Sequence, residues 1–349
     1  MSKKLLALLL VFVMVFSFAA CGGTDEPAEE GGDAAGESYT IKIGSAYADG
    51  HYMVECYKAF EEYVEAESDG RIQVELFANA SLVSGDSDGL EMLSNNTVQM
   101  ANSDYTMIGT FINDKRWEST SIPFYYGTDP AACYTILDNA ECWKQLYSEL
   151  ESAGNIKILG CVNGGSATVS NAAKSIESLA DFAGLRIRTP ESKPYTEPIK
   201  LWGGNPTPMA FGEIYTSIQQ NVIDGVFTSK SAIVQYKFPE LTKFHTDIDA
   251  FLLIFGFGIN ADFYNSMDAE AQAIVDAGAV KMVEVARAGE VDFRASLDTS
   301  MEEYGVTVIK PEGQFAEDLR TAVQPYVEER IAEIPEFMAE LDAAMAELW

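Results

Sequence analysis

Two arginines two positions apart in a short apolar segment are well suited to bind a small anion. Leu185 and Ile187 alternate with Arg186 and Arg188, which predicts a strand with one apolar and one cationic face. Pro190 ends that strand. A guanidinium can hold a carboxylate through two parallel hydrogen bonds. The alternative interpretation is a solvated strand face whose arginines form surface ion pairs.

The surrounding elements predict an α/β protein that positions these arginines at one edge of a sheet. Residues 184–228 have the pattern strand, helix, strand, helix, strand. Residues 39–47 and 71–78 predict strands on either side of an amphipathic helix, which indicates a parallel βαβ start. Residues 251–260 predict a buried strand. Residues 267–304 form one helical pattern of about 50 Å, long enough to touch two lobes. Its apolar stripe includes Gly278 and Gly289, which would permit close packing or a bend.

Size and charge narrow the function classes. A chain of 349 residues exceeds one ordinary core, so two lobes are expected. The formal charge of −31 argues against binding to nucleic acid, whose phosphates require clustered Lys and Arg. The chain has no nucleophile elbow, phosphate-binding loop, dinucleotide fingerprint or HExxH motif, so no enzyme is predicted. Only His51 and His245 are histidines, so neither a metal site nor a cofactor is expected.

The N-terminus has the pattern of an exported lipoprotein. Lys3 and Lys4 precede an apolar run that is short for a membrane span and leads through small residues into Cys21. We therefore expect a signal peptide over residues 1–20, lipidation of Cys21, and a flexible acidic tether over residues 21–38. Two acyl chains would anchor the protein without a spanning helix.

The four remaining cysteines fit no zinc or redox motif and are predicted to be small buried apolar residues: Cys56, Cys133, Cys142 and Cys161. The segment of residues 121–150 predicts a long helix that contains both Cys133 and Cys142. Nine residues of helix place them about 13 Å apart, too far for a disulfide.

Two segments resemble the DctP-type solute-binding proteins of tripartite ATP-independent periplasmic (TRAP) transporters. They are GLRIRTPES at residues 184–192 and GGNPTPMAFGEIYTSIQQNVIDG at residues 203–225. NPTPM, F-x-E-x-Y and Q-x-x-x-x-D-G follow one another in the family's order and at close spacing. The resemblance covers nearly all of residues 39–330.

This resemblance implies a two-lobe, periplasmic-binding-protein-like α/β fold with hinge-crossing strands and a long helix that spans both lobes. Lobe I would comprise residues 39–163 with 254–293, and lobe II residues 164–253 with 294–349. The implied function is capture of an organic acid for TRAP-type membrane subunits. The protein would be lipid-anchored to the outer face of the cytoplasmic membrane, or periplasmic.

The resemblance also implies the binding residues. Arg188 would form the salt bridge to the substrate carboxylate, and Phe211 would be a wall of the pocket. Asp104 aligns with an acidic position that contacts ligand hydroxyls in some relatives. Tyr47 lies in the loop after the first strand, which lines the cleft, as do Ser45 and His51; His51 is interpreted as a helix-start residue near solvent. Asp86 or Asp88 is interpreted as a helix cap.

Three positions depart from the family pattern. Ser166 stands where sialic-acid-binding relatives have a second arginine, and Thr228 where an asparagine usually reaches the carboxylate. Phe227 adds bulk and a stacking face. These departures, with Asp104 nearby, leave an alternative open. The protein would then be a receptor for a neutral or cationic solute that serves an ATP-driven (ABC) importer or a sensor.

Overall fold

The computed structural model describes residues 37–348. The predicted signal peptide, the predicted lipidation site Cys21 and most of the predicted tether lie outside the described residues. No helix between residues 37 and 348 combines the length and the apolar character that a membrane crossing requires.

The described chain alternates strands and helices. The strands are β1 (Tyr39–Gly44), β2 (Ile72–Phe77), β3 (Met100–Asp104), β4 (Ile156–Asn171), β5 (Arg186–Thr189), β6 (Asn205–Pro208), β7 (Gly225–Ser229), β8 (Phe244–Thr246), β9 (Leu252–Asn260) and β10 (Thr307–Ile309). The helices are α1 (Tyr52–Glu67), α2 (Asp86–Ser94), α3 (Tyr105–Ile112), α4 (Pro130–Asn139), α5 (Glu141–Gly154), α6 (Lys193–Leu201), α7 (Ile214–Gln219), α8 (Lys230–Gln235), α9 (Ala261–Ser266), α10 (Ala269–Glu303), α11 (Gly313–Glu333) and α12 (Pro335–Leu348). Short 3-10 turns span Lys115–Ser121, Leu179–Phe182, Phe211–Glu213 and Phe238–Glu240.

The strands form one sheet in which the long strand β4 connects two groups of strands: β2, β1, β3 and β9 on one side, and β7, β5 and β6 with β8 and β10 on the other. Its order is β2-β1-β3-β9-β4-β7-β5-β6, with β8 beside β4 and β10 beside β8. The parallel pairing of β1 with β2 confirms the predicted βαβ start. Strand β4 pairs with β9 up to Ser166 and with β7 from Ala167 onward. It therefore belongs to both groups of strands.

The long helix predicted over residues 267–304 is present. Helix α10 runs without interruption over 35 residues and packs on α1, β4 and α8. Its two glycines serve close packing. A Cβ atom at Gly278 would lie 2.7 Å from Val64 Cγ1, and one at Gly289 would lie 2.6 Å from Tyr52 Cβ. Glycine at both positions therefore allows α1 to approach the α10 backbone.

One helix prediction is wrong. Residues 130–150 form two helices, because Ala140 has extended backbone (φ −65°, ψ 131°) and separates α4 from α5. Cys133 and Cys142 therefore lie on different helices. All four cysteines in the described residues are unpaired; Cys56, Cys142 and Cys161 are buried and Cys133 is half-buried.

Candidate functional site

A cavity of about 90 Å³ lies where the two groups of strands meet. One water molecule needs about 10–15 Å³ of such a volume, so the cavity has room for a small ligand. One side comes from the loop after β1, the start of α2 and the end of β3, and the other from β5, β7 and α8. Strands β1 and β3 run parallel to each other, and so do β5 and β7. The two pairs run in opposite directions, because β3, β9, β4 and β7 pair antiparallel in turn, so their carboxyl ends approach the cavity from opposite sides.

Arg188 is a buried cation without a carboxylate partner. Its side chain is 4% exposed, and its Nε and Nη2 donate to the carbonyl oxygen of Met209 at 3.1 and 2.8 Å. Its Cζ lies 5.5 Å from the centre of the Phe211 ring. No carboxylate among residues 37–348 forms an ion pair with it. Burial lowers the pKa of Arg188 to about 10, so the guanidinium stays charged at neutral pH.

Arg186, the other arginine of β5, forms a surface ion pair. Arg186 is exposed, and its Nε and Nη2 donate to Asp224 Oδ2 and Oδ1 at 3.0 and 2.7 Å. The surface ion pair considered from sequence is thus formed by Arg186. Arg188, two residues further along β5, faces the cavity.

Asp104 lies in the cavity wall with its oxygens engaged by protein donors. Oδ1 accepts from the backbone N and the hydroxyl of Thr106 at 2.8 and 2.6 Å, which caps α3. Oδ2 accepts from the Tyr195 hydroxyl at 2.9 Å. Burial raises the pKa of Asp104, while the bonds from Thr106 and Tyr195 oppose that shift.

Asp86 is the second acid of the cavity, and it accepts fewer and longer hydrogen bonds than Asp104 does. Its Oδ1 accepts one long bond, 3.4 Å, from the Asp104 backbone N. Burial, with the charge of Asp104 as the next cause, raises the pKa of Asp86 to about 7. The interpretation of Asp86 or Asp88 as the helix cap is wrong, because Gly85 is the N-cap residue of α2 and no side chain caps it. Asp88 instead accepts from Ser84 N at 2.8 Å.

His51 is a buried residue of the cavity wall. Its ring stacks on Tyr47 with centroids 4.7 Å apart, and Nδ1 accepts from Met53 N at 3.2 Å to cap α1. Burial lowers the pKa of His51 to about 3, so the ring is neutral. Because Nδ1 accepts, Nε2 carries the hydrogen. The expected helix start is correct, but the expected position near solvent is wrong, since only 7% of His51 is exposed.

The structure brings five of the seven predicted ligand-binding residues together around the cavity: Arg188, Thr228, Phe211, Asp104 and Tyr47. Whether each of them contacts the ligand stays a prediction. Ser45 is buried at the end of β1 but is not in the cavity wall.

Ser166 and Phe227 lie outside the cavity wall. Ser166 Oγ donates to Asp249 Oδ1 at 2.7 Å. Phe227 is fully buried among aromatic rings, with Tyr195, Trp202 and Phe251 about it. Successive strand side chains point to opposite faces. Thr228 faces the cavity, so Phe227 faces the core and does not shape the pocket directly.

Sequence reasoning missed several residues of the cavity wall. Tyr195 lies on α6, and Gln235 and Tyr236 lie at the end of α8. The Tyr236 hydroxyl donates to the Ala46 carbonyl at 3.2 Å, across the cavity from β7. The available signal was position, since α8 directly follows the strand that carries Thr228. Within residues 37–348, no group of three or more His, Cys, Asp or Glu is arranged to hold a metal ion.

Comparison with known families agrees with this architecture. The family described as bacterial extracellular solute-binding protein, family 7 (DctP), matches residues 43–333. The chain belongs to this family, and the resemblance seen in the sequence is confirmed. It is therefore an extracytoplasmic solute-binding protein.

Named relatives cover most of the chain. The C4-dicarboxylate-binding periplasmic protein DctP of Rhodobacter capsulatus is 26% identical over 292 residues, 82% of this chain and 85% of the relative. The ectoine-binding periplasmic protein TeaA of Halomonas elongata is 26% identical over 309 residues, 83% of this chain and 86% of the relative.

Solved structures show the same fold. The TRAP solute-binding protein of Chromohalobacter salexigens with bound D-glucuronate has a TM-score of 0.81 at 19% identity and covers 88% of this chain and 99% of that one. The sugar acid binding protein of Advenella mimigardefordensis with galactonate has a TM-score of 0.82 at 22% identity and covers 88% and 98%. The two-lobe α/β fold expected from the sequence is confirmed.

Proposed function

We propose that this protein captures an organic acid in the cavity, binds its carboxylate through Arg188, and presents it to TRAP-type membrane subunits. The observation that carries the proposal is the buried guanidinium whose hydrogen-bond partner is a neutral carbonyl. The relatives support it, since one is named for C4-dicarboxylate binding and another structure holds D-glucuronate.

The physical reason is the cost of burying an unpaired charge. A buried guanidinium loses its hydration, which costs free energy. Only a counter-charge with good hydrogen-bond geometry compensates for that cost. A ligand carboxylate can accept two parallel bonds from the guanidinium edge and supply that counter-charge. The Phe211 ring below the guanidinium is an apolar wall for the same ligand.

The proposed lobes are residues 39–163 with 254–293 and residues 164–253 with 294–349. Strands β4 and β9 would then cross between the lobes and form the hinge. Two hydrogen bonds join the lobes beside the cavity: Tyr195 to Asp104 and Tyr236 to Ala46. Closure of the hinge around the acid would create the form that the membrane subunits recognise.

The cell-surface arrangement belongs to the same proposal. A lipidated Cys21 would anchor the protein outside the cytoplasmic membrane, and residues 21–38 would let it reach its membrane partner. The protein would release its ligand chemically unchanged, as a binding protein rather than an enzyme. Recovery of an altered ligand after prolonged incubation would contradict this.

A receptor for a neutral or cationic solute, serving an ATP-driven importer or a sensor, is the second candidate. The observation in its favour is that Asp86 and Asp104 line the same cavity as Arg188. Ligand charge separates the two candidates. The proposed function requires an acid to bind and its amide to bind far more weakly, whereas the second candidate requires the reverse.

A thermal-shift panel of organic acids tests the proposal. A ligand at 100-fold above its Kd adds about 2.7 kcal/mol of stability, which moves the midpoint by several degrees. We expect Arg188→Ala to abolish the shift for the best acid and to leave the unliganded midpoint nearly unchanged. Arg186→Ala is the matched control, because its arginine lies on the same strand but pairs with Asp224. Equal binding by Arg188→Ala and the parent would disprove the proposed role.

A further inference from the structure

The amide of Gln235 is a polar group of the cavity for which the protein supplies no partner. Gln235 is the last residue of α8 and lines the cavity. Both its Oε1 and its Nε2 are buried, and neither has a hydrogen-bond partner in residues 37–348. Among the described cavity-lining side chains, only that of Gln235 has buried polar atoms without a hydrogen-bond partner.

Its neighbours connect this amide to the Arg188 side of the cavity. Tyr236, the next residue, contacts Phe211 with ring centroids 4.7 Å apart. Phe211 in turn lies under the Arg188 guanidinium. A ligand held by Arg188 along the Phe211 ring therefore extends within the same cavity that the Gln235 amide lines.

The chemistry of an amide defines what it can recognise. The side chain of glutamine offers two N–H donors and one carbonyl acceptor. A carboxylate can only accept and an ammonium can only donate, whereas a hydroxyl does both. The hydroxyls of Tyr47 and Thr228 also line the cavity and form no side-chain hydrogen bond within the described residues. These three groups suit ligand hydroxyls.

We propose that Gln235 is a specificity residue that binds a hydroxyl group of the captured acid. The cavity would then prefer a hydroxylated acid to an unsubstituted acid of the same length. This inference rests on the proposed function, because it assumes that Arg188 holds the carboxylate. An acid that lacks the hydroxyl leaves the buried amide unpaired, and this lowers its affinity.

Calorimetric titration of paired acids tests the inference. The pairs are L-malate with succinate, 2-hydroxyglutarate with glutarate, and D-gluconate with hexanoate. We expect the parent protein to prefer the hydroxylated member of at least one pair by about 10- to 100-fold. Gln235→Met has nearly the same size without the hydrogen bonds. It should abolish the preference, because it lowers the affinity for the hydroxylated acid and leaves the affinity for the unsubstituted acid unchanged or raised, since no amide is then left unpaired.

Two controls separate recognition from folding. Gln324→Met changes an exposed glutamine on α11 that is bonded to Glu328, and it should leave every affinity unchanged. The unliganded melting midpoint of Gln235→Met should not fall, because the substitution removes two buried polar atoms that the protein leaves unpaired. Gln235→Glu keeps an acceptor but no amide donor, and should also lose part of the preference.

The outcomes distinguish this inference from the function on which it rests. If no acid binds the parent protein, both fail. If acids bind without preference for a hydroxylated partner, or if Gln235→Met weakens both members of a pair equally, the inference alone fails. A Gln235→Met protein with reduced stability and unchanged preference would show that the amide is structural.

Discussion

Two arginines of this protein are equally buried but have opposite surroundings. Arg188 in the cavity is 4% exposed and Arg330 on α11 is 3% exposed. Arg330 Nη1 donates to Glu118 Oε2 at 2.7 Å, and Glu333 on the same helix is a further partner. Arg188 donates to a carbonyl only. The fold thus pairs one buried cation with carboxylates and leaves the other without an ion-pair partner among residues 37–348.

The two arginines therefore differ in their partners at nearly equal burial, and we expect them to differ in what their removal costs. Breaking a buried ion pair leaves the remaining charge uncompensated and costs about 3–5 kcal/mol. Removing Arg188 breaks no ion pair and withdraws its longer-range charge interaction with Asp86. Residue type and burial therefore do not distinguish Arg188 from Arg330, whereas the absence of an ion-pair partner does, and this difference is what favours Arg188 as the proposed ligand-binding arginine.

The largest expected effect is a crossed pattern for two matched substitutions. Arg330→Met should lower the free energy of unfolding by about 3–5 kcal/mol, because Glu118 loses its partner, and should leave acid affinity unchanged. Arg188→Met should leave the free energy of unfolding unchanged or raised and abolish acid binding. Urea unfolding and calorimetric titration measure the two quantities. Loss of stability in both variants to the same extent would remove the distinction.

The second prediction compares the pH dependence of stability that two carboxyl groups, Asp86 and Asp247, should cause. Burial raises the pKa of Asp86 to about 7, above its unfolded value of about 3.9. Between these values the folded chain keeps a proton that the unfolded chain has released. Stability therefore falls as pH rises from about 4 to about 7. Asp86→Asn should remove this loss of stability. The pKa difference corresponds to about 4 kcal/mol as an upper bound, and we expect a smaller value because Asp86 is partly exposed.

Acid binding should follow the same titration. Above pH 7 an ionised Asp86 shares the cavity with the bound carboxylate and repels it, so affinity falls as pH rises through about 7. Asp104, Asp88 and Arg188 are the charged groups that act on Asp86. Asp86→Asn should show no such fall up to about pH 9, where Arg188 is still charged. An identical pH profile in parent and variant would exclude Asp86 as the titrating group.

Asp247 is the second carboxyl group of this comparison, and its pKa is lowered rather than raised. Burial would raise its pKa, but the hydrogen bonds from His245 and Lys230 outweigh burial and lower the pKa of Asp247 to about 2. Its stabilising contribution is therefore present above about pH 4 and is lost as pH falls toward 2. Asp247→Asn should be destabilised at pH 7 and approach the parent near pH 2, as measured by urea unfolding.

The third prediction concerns the two tyrosines that join the proposed lobes. Tyr195→Phe removes a donor to the Asp104 carboxylate, and bonds to charged groups contribute about 1.5–3 kcal/mol. Tyr236→Phe removes a bond to the neutral Ala46 carbonyl, expected to contribute about 0.5–1.5 kcal/mol. Thermal unfolding of the two variants should show this order. The reverse order would mean that Asp104 is not ionised in the folded protein.

The smallest expected effect tests the two nitrogens of His51. Loss of the N-cap bond to Met53 in His51→Ala should cost about 1 kcal/mol, whereas asparagine can still cap α1. His51→Asn should therefore keep stability within a few tenths of a kcal/mol of the parent. Both variants lose the Nε2 donor and should weaken acid binding equally in titrations. Unchanged affinity in both would show that the ligand does not use this nitrogen.

Local patterns account for what could be predicted of the site. Arg188, Phe211 and Thr228 lie in segments whose order and spacing resemble a known family. The same resemblance implied the places of Asp104 and Tyr47 in the pocket. The departure from the family pattern at Phe227 predicts a bulky ring in the pocket, although strand alternation points the side chains of Phe227 and Thr228 to opposite faces. Gln235 lies seven residues beyond Thr228, and no motif distinguishes it from an exposed glutamine.

The amino-acid sequence by itself determined the α/β class, the parallel start, the uninterrupted helix α10 and the arginine strand, because each depends on periodicity and neighbouring residue types. Only the tertiary structure decided which arginine is paired, which acid keeps a raised pKa and which amide lacks a partner. These properties depend on distances between residues far apart in the chain, as between Tyr195 and Asp104. The burial of these side chains and the geometry of their partners arise only when β4 brings the two groups of strands together.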